Sequence, residues 1–188
     1  IVEKLVPSDI AGLTPGKVQL TVLLNEDGGI VDDLMIGRPA DPTRQGMLYI
    51  VVNAGTKDND FALIQKTAGS DAELRRADDR ALIALQGPEA EAVIASIIPE
   101  AVALTFMHFV RVEHPEYGRI MATRCGYTGE DGFEILVPAD KAQAFAEKLL
   151  SDERVKPIGL GARDSLRLEG GMCLYGHDID ASKTPVAA

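Results

Sequence analysis

Tryptophan is absent from this 188-residue chain, and the other aromatic residues are sparse, with five phenylalanines and four tyrosines. A core built here must therefore rest on aliphatic side chains, and at 46% apolar residues there are enough of them. Only two cysteines occur, Cys125 and Cys173, far apart and in no CxxC pair. That excludes a disulfide framework and a zinc ribbon, and it fits a reducing compartment. The three histidines, His108, His114 and His177, have no metal-ligand spacing, so no metal is expected. No apolar run approaches the ~18 residues of a membrane span, and no signal-peptide pattern is present. Low-complexity tracts and internal repeats are missing as well. The formal net charge of -10 repels phosphate backbones, which sets nucleic acid aside as a partner.

Generic chemical motifs are missing too. There is no GxGxxG after a strand, no GxxxxGK[ST] and no GxSxG. Dinucleotide, P-loop and serine-hydrolase sites are thereby excluded.

Periodicity and turn chemistry define the elements that are present. Val18 to Leu24 is β-rich and ends at the turn cluster Asn25-Glu26-Asp27-Gly28-Gly29. Ile30-Val31 and Leu34 to Ile36 follow as the hairpin's second strand. This strand carries Asp32 and Asp33, which alternation sends to opposite faces and so to different roles. Met47 to Asn53 reads as a third strand. Thr56 reads as the N-cap of a helix over about 57–67 that buries Phe61 and Ile64. Residues 69–80 read as a polar loop, and Ala81 to Leu85 as a short strand. Pro88 is expected at the first position of a helix running through Val93 and Ile97. Thr105 to Val112 and Arg119 to Thr123 form a second hairpin across Glu116-Tyr117-Gly118. Cys125 to Gly132 is turn-rich and leads into the strand Phe133 to Val137. A helix over about 139–150 buries Phe145 and Leu149. A last helix, about 159–169, stops at Gly170-Gly171. With no regular βαβ spacing, the fold class is α+β, mainly antiparallel sheets with short flanking helices.

Four stretches carry a more specific signal. They are NEDGGIVDDL from Asn25, LQGP from Leu85, RCGYTGEDGFE from Arg124, and GLGARDSLRLEGGMCLYGHDID from Gly159. In this order and spacing, with VVNA from Val51, the sequence resembles the aminomethyltransferase (T-protein) family of the glycine cleavage system along its whole length. The resemblance implies a folate-binding aminomethyltransferase fold, with residues 1–188 as a partial folate-binding region, in one piece or as two intertwined α+β subdomains. Family members continue at both ends, with an N-terminal segment and a C-terminal β-barrel. Ile1 reads like mid-domain sequence and Ala187-Ala188 like an interruption, so the expectation is an internal fragment.

The implied reaction moves the methylene of an aminomethyl group, carried on the lipoyl arm of the H-protein, to tetrahydrofolate and releases ammonia. Asp33 matches the family's catalytic aspartate, and Asp32 is read as structural. Glu134, Tyr127, Arg163 and Asn53 match folate-site positions. Glu134 suits the side-by-side donors of a pterin, Tyr127 lines the pocket, and Arg163 either meets an acceptor on the ligand or orients Glu134. Asn53 either bonds the ligand or caps the next turn. Arg167 is read as structural, paired with Asp164 at i,i+3 spacing. Tyr175 and Asp178 match a loop near the folate channel, while Glu130 and Asp131 are read as solvated. The compartment implied is bacterial cytoplasm or the mitochondrial matrix. Two other branches share the fold. One holds the folate modules of dimethylglycine or sarcosine dehydrogenases and folate-dependent demethylases. The other holds noncatalytic folate-binding proteins of iron–sulfur or tRNA maturation, whose motif close to KGCYxGQE is absent here.

Overall fold

The computed structural model describes residues 1–188. The chain divides into two compact units, the first formed by Ile1–Arg76 with Cys173–Ala188, the second by Ala77–Met172. No helix is long and apolar enough to cross a membrane.

In the first unit, β1 (Val18–Leu24), β2 (Ile30–Gly37) and β3 (Tyr49–Val52) form an antiparallel sheet in that order. Burial alternates along β2, so Ile30, Asp32, Leu34 and Ile36 face inward while Val31, Asp33 and Met35 lie on the other face. Val2, Leu5, Val6 and Ile10 from the start of the chain and Ile64 from helix α1 (Lys57–Ala68) pack against Leu23, Leu34 and Ile36. The segment after residue 173 returns to this unit. Ile30 donates its N–H to the Lys183 carbonyl at 3.0 Å. A Cβ at Gly29 would sit 2.0 Å from the Ala181 carbonyl oxygen, so this close backbone approach requires glycine.

The second unit is a four-stranded antiparallel sheet in the order β4-β7-β6-β5, with β4 Arg80–Gln86, β5 Phe109–His114, β6 Gly118–Thr123 and β7 Gly132–Pro138. Phe133, Ile135 and Val137 of the central strand β7 point into a core with Val93 and Ile94 of α2 (Ala90–Ile94) and Phe145 and Leu149 of α3 (Ala142–Leu150). Tyr117 packs its ring edge-on against Phe145, with centroids 5.1 Å apart. Helix α4 (Leu160–Glu169) completes the unit. The α+β class with antiparallel sheets and few helices is as the sequence indicates.

Several local expectations are corrected. Thr56 precedes α1 but makes no side-chain cap, because its hydroxyl is taken by Asp32. Phe61 is only half-buried and lies under the Arg76 guanidinium, and the inward position beside Ile64 is taken by Asp60. Pro88 does not open α2. Gly87, at φ +117, bonds the Asp131 carbonyl and forms a turn that delays the helix to Ala90. Residues 105–108 turn back on themselves through His108 N–H to Thr105 C=O, so β5 starts at Phe109 and not at Thr105.

Candidate functional site

The candidate residues fall into two clusters, one in each unit. In the first, the acids Asp32 and Asp33 stand at the middle of β2. Asp32 is wholly buried, Asp33 half-buried, and the pleat sends them to opposite faces. They are nevertheless joined. Asn53, just past the end of β3, donates its side-chain amide to Asp32 Oδ1 at 2.9 Å and to Asp33 Oδ1 at 2.9 Å. The same amide lies 3.2 Å from the Asp33 carbonyl oxygen. The opposite facing is as expected, and the single amide of Asn53 reaches around the strand to both acids. Asn53 also accepts the Thr56 N–H at 3.3 Å through its main-chain carbonyl, closing the turn into α1. Thr56 Oγ1 donates to Asp32 Oδ2 at 2.5 Å.

Asp60, one turn into α1, is fully buried, and both its carboxylate oxygens lack a partner. Burial, then the neighbouring Asp32, pushes its carboxyl up to about 7. Tyr175 belongs to the same cluster. Burial, followed by the charges of Asp32, Asp60 and Asp180, raises its phenol above the ordinary value. Asp178 is exposed and accepts the Leu174 N–H at 2.9 Å, which stabilises the turn after Leu174. Sequence reasoning missed Asp60; its one signal is an acid at the inward position of an amphipathic helix.

The second cluster is built by the RCGYTGEDGFE stretch. Gln86, the last residue of β4, organises it. Its amide donates to the carbonyls of Cys125 at 3.0 Å and Phe133 at 3.2 Å, and its oxygen accepts from Thr128 Oγ1 at 3.3 Å. A Cβ on Gly126 would fall 1.7 Å from Gln86 Oε1, and one on Gly132 would fall 2.6 Å from its amide carbon. The glycines therefore make room for a glutamine. Gln86, read in the sequence only as part of LQGP, is a structural keystone that no local pattern reveals.

Glu134 lies on β7 opposite Ala84 and Thr123, on the face away from Phe133 and Ile135. Burial raises its carboxyl above the usual range, opposed by a hydrogen bond from the Cys125 thiol and by the charge of Arg163. The buried Cys125 thiol is itself pushed up by burial and by the Glu134 carboxylate, so it stays protonated and can donate. Arg163, in the first turn of α4, holds its guanidinium 5.0 Å from the centre of the Tyr127 ring. Arg163 thus meets Tyr127 and acts on Glu134 at once.

Asp131, expected to be simply solvated, is partly exposed but also paired. Arg124 grips it through Nε at 2.9 Å and Nη2 at 2.6 Å, and Nη2 also reaches Glu91 at 2.5 Å. This fork ties the tip of the glycine-rich turn to α2. Arg167 is buried, donating to Asp164 at 2.9 Å and to the Met172 carbonyl at 3.1 Å, which makes it a structural group of α4. No group of three or more His, Cys, Asp or Glu side chains is arranged to hold a metal ion.

The GCVT N-terminal domain family matches the sequence over residues 1–188. The mitochondrial aminomethyltransferase of Flaveria anomala is 44% identical across 99% of this chain and 47% of its own length. That of Gallus gallus is 47% identical across 99% of this chain and 48% of its own. The crystal structure of glycine cleavage system aminomethyltransferase T from Bartonella henselae superposes with a TM-score of 0.82 at 45% identity, covering 96% of this chain and 48% of that one. The chain spans about half the length of the curated relatives it matches.

Proposed function

The chain belongs to the GCVT N-terminal domain family, and on that footing we propose that it provides folate recognition and proton handling for aminomethyl transfer in glycine cleavage. The reaction joins the methylene of an aminomethyl-dihydrolipoyl H-protein to N5 and N10 of tetrahydrofolate. One C–S and one C–N bond break, two C–N bonds form, and the hydrogens of N5 and N10 leave on ammonia and on the freed thiol. Tetrahydrofolate supplies the two nucleophilic nitrogens. The bacterial cytoplasm or the mitochondrial matrix is the setting, the second in keeping with the names of the plant and bird relatives.

The observation that carries this reading is the environment of Glu134. It is a carboxylate on a central strand, largely withdrawn from water, with one thiol donor and one arginine acting on it. Its acceptor capacity exceeds those partners, and a pterin edge with its 2-amino group and N3–H matches what is left. Tyr127, stacked with Arg163, offers an aromatic face to the same ring system. Asp33, held by Asn53, takes the proton released at nitrogen and stabilises the positive charge that develops on the transferred carbon. The transfer is governed by positioning and charge.

Anaerobic calorimetry of the purified chain with tetrahydrofolate tests the reading. Glu134→Ala is expected to weaken binding by about 1.5–3 kcal/mol, roughly ten- to a hundredfold in Kd. Equal affinity in the variant would remove Glu134 from the site. A folded wild-type chain that binds no tetrahydrofolate would refute the proposal for this polypeptide.

A further inference from the structure

The first cluster contains a buried acid that aminomethyl transfer, as described, does not use. Asp60 is 0% exposed, and neither of its oxygens has a hydrogen-bond donor. An isolated buried carboxylate costs several kcal/mol, and a protein ordinarily avoids that by neutralising the group. The groups acting on Asp60 offer no counter-charge. They are Asp32 and Asp33 from β2 and the Thr56 hydroxyl from the start of α1, and Tyr175 faces it from the segment after α4.

Asp32 is equally buried, and two adjacent carboxylates in such a place cannot both be ionised. The donors decide which one keeps the proton. Asp32 receives Asn53 on one oxygen and Thr56 on the other, so each of its oxygens already has a donor. No donor meets Asp60 in hydrogen-bond geometry, because the nearby Thr56 hydroxyl gives its hydrogen to Asp32. A proton on Asp60 turns a repulsive pair into an O–H···O bond to Asp32.

We propose that Asp60 is held as the neutral carboxylic acid and donates to Asp32, so that the chain Asp60–Asp32–Asn53–Asp33 fixes the Asp33 carboxylate for its task. Asp60 is then a positioning residue. Its effect on turnover rests on the aminomethyl-transfer reading of Asp33, whereas its protonation does not. The shift of the Asp60 carboxyl to about 7 has burial as its largest cause and Asp32 as its second, in accord with this arrangement.

Carboxyl carbon-13 NMR of the chain labelled at aspartate tests it directly, with the Asp60 signal assigned as the one lost in Asp60→Asn. The expected result is an Asp60 signal that stays protonated to near neutrality. Asp60→Leu, which cannot donate, shifts the Asp33 signal and its titration. Asp60→Asn, which can still donate to Asp32, leaves both near their wild-type positions. An Asp60 already ionised at pH 5, or an Asp33 signal unmoved by Asp60→Leu, overturns the proposal.

Turnover gives the second readout. Asp60→Leu is expected to lower kcat roughly ten- to a hundredfold with little change in the KM for tetrahydrofolate, and Asp60→Asn to restore most of that loss. A kcat unaffected by Asp60→Leu also overturns it. A wild-type chain with no turnover would instead sink the functional reading, leaving the NMR result to decide the place of the proton and its effect on Asp33.

Discussion

Replacing Asp60 by asparagine removes a titration as well as a side chain, and stability measured against pH separates the two. The Asp60 carboxyl moves from an ordinary value of 3.8 to about 7 on folding. The folded chain therefore holds this proton more tightly than the unfolded chain. The resulting stabilisation is fully present below about pH 4 and is lost as the pH climbs to about 7 and beyond. At about 1.4 kcal/mol per unit, a shift of roughly three units sets a ceiling of about 4 kcal/mol. Relaxation around an ionised Asp60 lowers the expected figure to about 2–4 kcal/mol. Asparagine matches the shape, still donates to Asp32 and does not titrate. The stability of Asp60→Asn relative to wild type should therefore rise by about 1.5–3 kcal/mol between about pH 4.5 and pH 8, since part of the change is already complete at the lower end. Urea unfolding at several pH values, with m compared between the two proteins, reads this difference. Wild-type and variant curves that run parallel across the range would show that Asp60 has no raised folded-state value and would refute the reasoning.

Two further predictions concern the rest of the clusters. Asp33→Asn should leave tetrahydrofolate affinity within about threefold and lower kcat by about a hundredfold or more, since it removes a proton acceptor and a negative charge; a variant turning over at the wild-type rate would deny Asp33 its role. Gly126→Ala puts a methyl 1.7 Å from Gln86 Oε1, so Gln86 must give up its bonds to the Cys125 and Phe133 carbonyls, at about 1–3 kcal/mol. A thermal melt unchanged by this substitution would show that Gln86 does not organise the glycine-rich turn.

Much of the fold could be read locally. The β1–β2 hairpin follows from apolar alternation on either side of Asn25-Glu26-Asp27-Gly28-Gly29. The α3 face follows from the four-residue spacing of Phe145 and Leu149, and the stop of α4 from Gly170-Gly171, the second at φ +71. Two local expectations, the Thr56 side-chain cap and the Pro88 helix start, failed where a non-local partner took the deciding group. Asp32 claims the Thr56 hydroxyl, and Asp131 claims the Gly87 N–H.

For the site, the sequence by itself determined the residue types and the resemblance that singles out Asp33, Asn53, Tyr127, Glu134 and Arg163. It also set the opposite facing of Asp32 and Asp33, because strand alternation is a property of neighbouring residues. Tertiary structure alone decided the environments. Burial brought Cys125 to Glu134, the β4–β7 pairing brought Gln86 under the glycines, and the packing of α1 on β2 enclosed Asp60 beside Asp32. Such contacts join residues tens of positions apart, and the withdrawal of water that raises a carboxyl exists only once the chain has closed around it.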